Sequence, residues 1–370
     1  MLDYVGLISA DNEELIPFVW EAFTDWKFAP KSHERRQAAY DSLRISRETM
    51  CRPIERVHFL GLFDTVNSVA EFEVEAGGDN VDRSGCQPRP TITRHAVSVD
   101  ERRIKFQPVL FGNEVGVKRR KPIRYDQPEE AYSADSDAEE DHAPPDLKEV
   151  YFAGDHSDVG GGWRPLEEEE YPTSHIPLTW MVNEAMRAGL TFNKEKIGPV
   201  SIRSNPSESA SSSSSSLPSA SCAAIHPPPV TTNTTTNTTT NTKATPSPLQ
   251  KAQRSQIHDS LDYDSGKGLT TFFWRMLEYL PLKRPIVQPD GSIVHSRWHT
   301  RGLRRPLPHG ALVHGSVVRR LRWDPDYRPY NLGLGYKPNM QDRKEEDRDI
   351  GQWKCVHEDE DEIREYWVKD

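Results

Sequence analysis

Leu15, Ile16, Val19, Trp20 and Phe23 recur at three- and four-residue spacing behind the capping-box pair Asp11 and Glu14, so Asn12–Trp26 is predicted to be an amphipathic helix. Arg35–Arg47 reads as a second, more polar helix, with Arg35, Arg36, Arg44 and Arg47 expected on a solvated face. Arg56–Phe63 is nearly continuous apolar, the pattern of a strand covered on both faces. Thr93–Val109 opens with alternation and then carries Asp100, Glu101, Arg102 and Arg103, expected either as a surface salt-bridge network or as groups that orient a catalytic residue. Val150–Ala153 reads as a short buried strand feeding a loop with Asp155, His156, Ser157 and Asp158, closed by Gly160, Gly161 and Gly162. Behind Ser174, with Pro177 in the first turn, Leu178, Met181, Val182, Ala185 and Met186 share one helical face that Gly189 ends, expected to pack on the core.

Two stretches break these periods. Lys118–Lys121 is a basic run that turns acidic through Asp141, and 118–147 is expected to be a disordered surface insertion. Residues 204–256 hold a serine run, three consecutive prolines and a Thr/Asn tract, expected as an unfolded linker because so little apolar area cannot offset the ordering entropy. Order is expected to return at His258. Phe272, Phe273, Met276, Leu277 and Leu280 give an apolar helical face before Pro281, Gly310–Leu321 gives another apolar strip, and the charged tail 341–370 is expected to be mostly mobile. The domain reading is 1–203 and 257–340 as parts of one α/β unit, separated by that linker and followed by the tail.

Composition narrows the function. Only 35% of the 370 residues are apolar and 29 are proline, which agrees with long unpacked segments. The formal charge of −10 argues against a general nucleic-acid binder. Four cysteines without a CxxC pair suggest neither a disulfide framework nor a thiolate zinc site, and fit a reducing compartment. Residues 1–10 lack the basic start of an export signal, and no run of about 20 apolar residues is present, so a cytoplasmic protein without a transmembrane segment is expected. Oligomeric state is not legible, and no cofactor or metal is expected.

A polar, glycine-rich turn after an apolar strand is where open α/β sheets place their chemistry. His156 is therefore a catalytic candidate, with a solvated loop histidine as the competing reading. Asp64 directly follows an apolar strand and is either a functional acid or a helix cap, because a carboxylate there is costly without a partner. A carboxylate after one strand and a histidine after a later one are the orienting and proton-transferring members of a nucleophilic triad.

The blocks FLGLFDTV, RHAVSVDERRIKFQP, VYFAGDHSDVGGGW and IPLTWMVNEAMRAGL, with the helix NEELIPFVWEAF, resemble in order the α/β-hydrolase family typified by type VI secretion phospholipase effectors, which has an uncharacterised fungal branch. The resemblance implies a partial α/β-hydrolase-like sheet with flanking helices, and a serine hydrolase acting on lipid or ester bonds. It assigns Asp64 as triad acid and His156 as triad histidine, with Asp158 and Gly160, Gly161 and Gly162 in the same signature loop. Such hydrolases carry a nucleophile serine in a GxSxG turn, and none is present: Ser157 sits in DHSDV and Ser265 in YDSGKG. The first strands and the nucleophile elbow are thus expected to be missing from an N-terminally incomplete chain, which by itself should hydrolyse little or nothing. The alternatives are a non-catalytic pseudohydrolase or interaction module, and a metal-dependent phosphoesterase using Asp64, Asp155, His156 and Asp158.

Overall fold

The computed structural model describes residues 5–29, 33–52, 54, 57–66, 90–110, 146–197, 246–263, 268–280, 284–287, 293–296, 301–334, 350–357 and 362–369. The chain divides into two units, 1–95 with 109–148 and 96–108 with 149–370.

In the first unit, β1 (Leu7–Ile8) pairs antiparallel with β2 (Cys51–Arg52). Between them run α1 (Ile16–Lys27) and α2 (His33–Met50). Residues Ala10–Leu15 form a 3-10 turn behind Ser9 rather than a helix capped by Asp11, and Pro17 falls in the first turn of α1, where its missing N–H costs nothing. Val19, Ala22 and Phe23 of α1 close on Leu43 and Val5 to make this unit's core. Arg47 is 3% exposed, so the basic face expected on α2 loses one member to the interior. β3 (Phe59–Phe63) is half-buried along most of its length, less covered than its apolar run suggests.

A six-stranded sheet runs in the order β3, β4 (Ile92–Ser98), β5 (Asp146–Phe152), β8 (Leu312–His314), β10 (Glu365–Lys369), β9 (Trp353–His357), with a separate hairpin of β6 (Arg284–Val287) and β7 (Ile293–Ser296). β5 and β8 are parallel, with Val150 opposite Leu312, whereas β10 is antiparallel to both β8 and β9. Helices flank this mixed sheet, an α/β arrangement.

The second unit's helices are α3 (His156–Gly160), α4 (His175–Arg187), α5 (Lys194–Ile197), α6 (Pro248–Arg254), α7 (Gly268–Glu278) and α8 (Gly315–Trp323). Its core gathers on Phe152, whose ring meets Trp180 of α4 at 5.5 Å and stacks on His314 at 4.7 Å. Trp180 donates its indole N–H to the Tyr366 hydroxyl at 2.9 Å, and both residues are fully buried. Burial drives the His314 pKa down to about 3, so this ring packs as a neutral group, bonded to Ser316 Oγ and the Ile363 carbonyl. Arg364 and Glu184 form a second buried tie at 3.0 Å.

Three expectations change here. The tail 341–370 supplies β9 and β10, because Trp353, Ile363 and Tyr366 bring enough apolar area to be packed. Within the stretch 204–256, residues 248–254 form α6, capped reciprocally by Ser247 and Gln250, while 204–245 lies outside the described residues. The face of α7 that carries Leu269, Phe272, Phe273 and Met276 is exposed, and its buried positions are Thr271 and Glu278. Of the expected insertion 118–147, residues 146 and 147 begin β5 and the rest lies outside the described residues. Among the described residues no helix is long and apolar enough to cross a membrane.

Tyr366→Phe removes the acceptor of a buried indole N–H while keeping the ring. Urea unfolding should show a loss of roughly 1–3 kcal/mol; an unchanged midpoint would mean the Trp180–Tyr366 bond does not hold the core.

Candidate active site

Asp64 and His156 fall in different units and are placed separately. Asp64 directly follows β3 in the first unit, fully buried and in the left-handed region at φ 42°. A non-glycine residue there is strained by about 1–3 kcal/mol, which the surroundings must impose. Beside it, the Thr65 amide donates to His95 Nε2 at 3.1 Å and the Thr65 carbonyl accepts from Val109 N. The segment that Asp64 would cap, from residue 67 on, lies outside the described residues.

His156 opens α3, half-buried, in the second unit. The stretch expected as a loop is thus a short helix, because Asp155 caps it. Asp155 Oδ1 accepts from the amides of Ser157 and Asp158, and Asp158 Oδ2 accepts from the Asp155 amide, a complete capping box. Gly161 ends the helix in the left-handed region at φ 83°. Gly162 lies against Ser157, where a Cβ would sit 3.0 Å from Oγ, whereas Gly160 faces open space. Gly154 at φ 107° brings the end of β5 so close that any Cβ would run into the Asp158 side chain.

The charged cluster after β4 is buried, contrary to its expectation as a surface network. Asp100 is 5%, Glu101 1% and Arg103 7% exposed. Glu101 accepts the Arg103 guanidinium through Nε at 2.9 Å and Nη2 at 2.8 Å, the amides of Arg102 and Arg103, and, through Oε2, the amide of His156 at 3.1 Å. Burial alone would raise its pKa, but the Arg103 bonds and charge, with Arg305 beyond, outweigh burial and hold it below the usual value. Asp100 accepts from the Gly154 amide and Tyr327 hydroxyl, both at 2.8 Å, and pairs with Arg304 at 3.1 Å. The His156 ring lies 4.7 Å from Phe106, with the Arg103 guanidinium 3.9 Å over the same Phe106 ring.

Residues beyond the signature block complete this cluster. His258 binds Asp158 Oδ1 through Nδ1 at 2.7 Å, donates its amide to Oδ2 at 2.7 Å, and stacks on Trp163 at 4.3 Å and 11°. Ser260 donates to Asp155 Oδ2 at 2.7 Å and the Trp163 indole N–H to Oδ1 at 2.9 Å. A cleft of about 150 Å³, open to solvent, is lined by Arg103, Ser157, Trp163, Ser260, Thr271 and Trp274 among others. The sequence marked Trp163 only as the end of its block and gave no sign of His258, Ser260 or Trp274. The Asp155 and Asp158 oxygens are filled by protein donors, and among the described residues no group of three or more His, Cys, Asp or Glu side chains is placed to hold a metal ion. This donor set does not fit the metal-dependent alternative.

Burial, then the charges of Asp158 and Glu101, push the Asp155 pKa up from 3.8 to about 6 against the bonds from Trp163 and Ser260. A carboxyl with a raised folded pKa binds protons more readily when folded, so its contribution to stability falls as pH rises through that window. Asp155→Asn should flatten the pH dependence of thermal stability between about pH 4 and 6, and an unchanged profile would contradict the assignment. Gly154→Ala should cost roughly 2–4 kcal/mol while Gly160→Ala, helical and unobstructed, is neutral or gains up to about 1 kcal/mol; equal melting shifts would contradict the contrast.

The family described as T6SS, phospholipase effector Tle1-like, catalytic domain, matches residues 1–184. The chain is 23% identical over 458 aligned positions to the uncharacterized protein YEL023C of Saccharomyces cerevisiae, covering 92% of this chain and 65% of the yeast protein. It therefore spans just under two thirds of that relative's length. No solved structure gives a significant match. Over residues 1–184, from the first helices through the signature loop and most of α4, the chain is similar to the catalytic domain of Tle1-like type VI secretion phospholipase effectors.

Proposed function

We propose that the chain is a phospholipase- or esterase-like hydrolase domain for lipid ester bonds, working by a Ser–Asp–His relay in which Asp64 is the acid and His156 the proton carrier. The observation that carries this reading is the family match over 1–184, a stretch that includes both residues. Two local features support it. A buried, backbone-strained carboxylate follows a strand, as an acid held for chemistry would. The histidine stands on a glycine-closed turn beside a cleft whose walls offer hydroxyls and indoles.

In the relay, His156 takes the proton from the attacking hydroxyl and returns it to the leaving alcohol, while Asp64 keeps the ring in the useful tautomer and stabilises its cation. The attacking serine is not supplied by these 370 residues, since none lies in a GxSxG turn, so this polypeptide alone has little or no turnover.

Fluorophosphonate labelling of the purified 370-residue protein, with hydrolysis of phosphatidylcholine vesicles and a short-chain ester followed in parallel, should give no labelled serine and rates near background. A longer product of the same gene that includes a GxSxG segment should be labelled and active, and Asp64→Asn or His156→Ala should each reduce its turnover about 10³–10⁴-fold. Activity that survives His156→Ala would contradict the relay, and serine labelling of the 370-residue protein would contradict the missing nucleophile.

A further inference from the structure

We infer that His258 is a positioning residue of the site: its ring, gripped by Asp158 and stacked on Trp163, fixes the turn that carries His156, and it grips harder as the solution becomes more acidic. That His156 is the beneficiary rests on the hydrolase reading above; the grip itself does not.

The chain around His258 ties itself to the signature turn and the segment after it at successive residues. Ser255 Oγ donates to the Tyr171 carbonyl at 2.5 Å, the Gln256 amide donates to Glu169 Oε1 at 2.6 Å, and Thr173 Oγ1 donates to the Gln256 carbonyl at 3.1 Å. His258 then takes both oxygens of Asp158, one through its amide and one through Nδ1, and Ser260 takes Asp155. Asp155 and Asp158 are the two halves of the capping box that starts α3, so their oxygens set where residue 156 stands. From the other end of the segment, Arg320 Nη2 donates to the Ser255 carbonyl at 2.6 Å and anchors it to α8.

The grip depends on a proton. The charged groups that face His258 are Asp158 and Asp155 on the signature turn and Glu169 on the acidic run; Asp259, its neighbour, is turned to Arg102. Burial of the imidazole disfavours its charge, but the bond and charge of Asp158, with Asp155 and Glu169 behind, outweigh burial and raise the pKa above the ordinary 6.5. A raised folded pKa means that the charge-assisted bond contributes fully below the unfolded value and weakens as pH rises through the folded one, when only a neutral N–H remains to donate. Asp155, whose pKa is also raised, acts in the same direction.

Hydrogen–deuterium exchange on the full 370-residue protein, corrected for the intrinsic pH dependence of exchange, reads the grip without any hydrolysis assay. Peptides covering 155–163 and 256–261 should open roughly fivefold less often near pH 6 than near pH 8, since a charge-assisted hydrogen bond is about twice as strong as a neutral one. His258→Gln, a permanently neutral donor, should open at both pH values at or above the wild-type level near pH 8, with α8 peptides unchanged; His258→Lys, a permanent cation, should lose the pH dependence while staying protected. A His258→Gln protein that keeps the wild-type pH dependence would assign it to Asp155 alone and overturn the inference. Should that variant not fold, the wild-type ring titration decides: the Ser157–Val159 amide shifts are expected to follow the His258 curve, and amides that titrate independently of it would overturn the inference. Since exchange does not read turnover, failure of the hydrolase reading leaves this result intact.

Discussion

A carboxylate that is 1% exposed stays ionised only if its oxygens are filled, and Glu101 fills them from two parts of the second unit at once. The Arg103 fork and two backbone amides come from its own turn, while the His156 amide comes from the far side of β5. This one side chain therefore joins the turn after β4 to the start of α3. Leaving either side open would strand a charge in the interior, so the position of residue 156 is set by electrostatic necessity as much as by chain geometry. The Arg103 guanidinium, fixed by the same fork, lies over Phe106 and in turn places that ring beside the His156 imidazole.

Asp155 and Asp158 extend the same logic in the other direction. Each caps the short helix through backbone amides and each takes a side chain from residues 258–260. Burial of Asp155 first, and then the charges of Asp158 and Glu101 beside it, push its pKa up to about 6. The arrangement holds because every oxygen has a donor, and the glycines let the backbone come close enough to supply them: Gly154 is pressed against Asp158 and Gly162 against Ser157.

Much of this was legible in the sequence where a local rule operates. The 3.6-residue period gave α1 and α4, the apolar run before DHSD gave β5, and the block order gave the resemblance, in line with the family match over 1–184. What escaped was long-range. Asp100, Glu101, Arg102 and Arg103 look like a solvated cluster because nothing in their spacing says that Gly154, His156, Tyr327 and Arg304 will meet them. His258 and Ser260 follow a low-complexity tract and carry no periodic signal, so their attachment to the signature turn was invisible. The tail misled for a related reason: its charge hid Trp353 and Tyr366, both buried, and Tyr366 is held by Trp180, 186 residues away.

The account's central claim is that the buried Glu101 carboxylate fixes the residue expected to carry the proton. Single-residue amide exchange at His156, measured by NMR in the wild type and in Glu101→Gln, tests it most directly. Gln keeps the shape but only one acceptor oxygen, so the His156 amide should exchange at least about tenfold faster in the variant, the factor that roughly 1.4 kcal/mol of lost hydrogen bonding gives, while core amides such as Val318 stay as they were. An unchanged rate at His156 would contradict the claim.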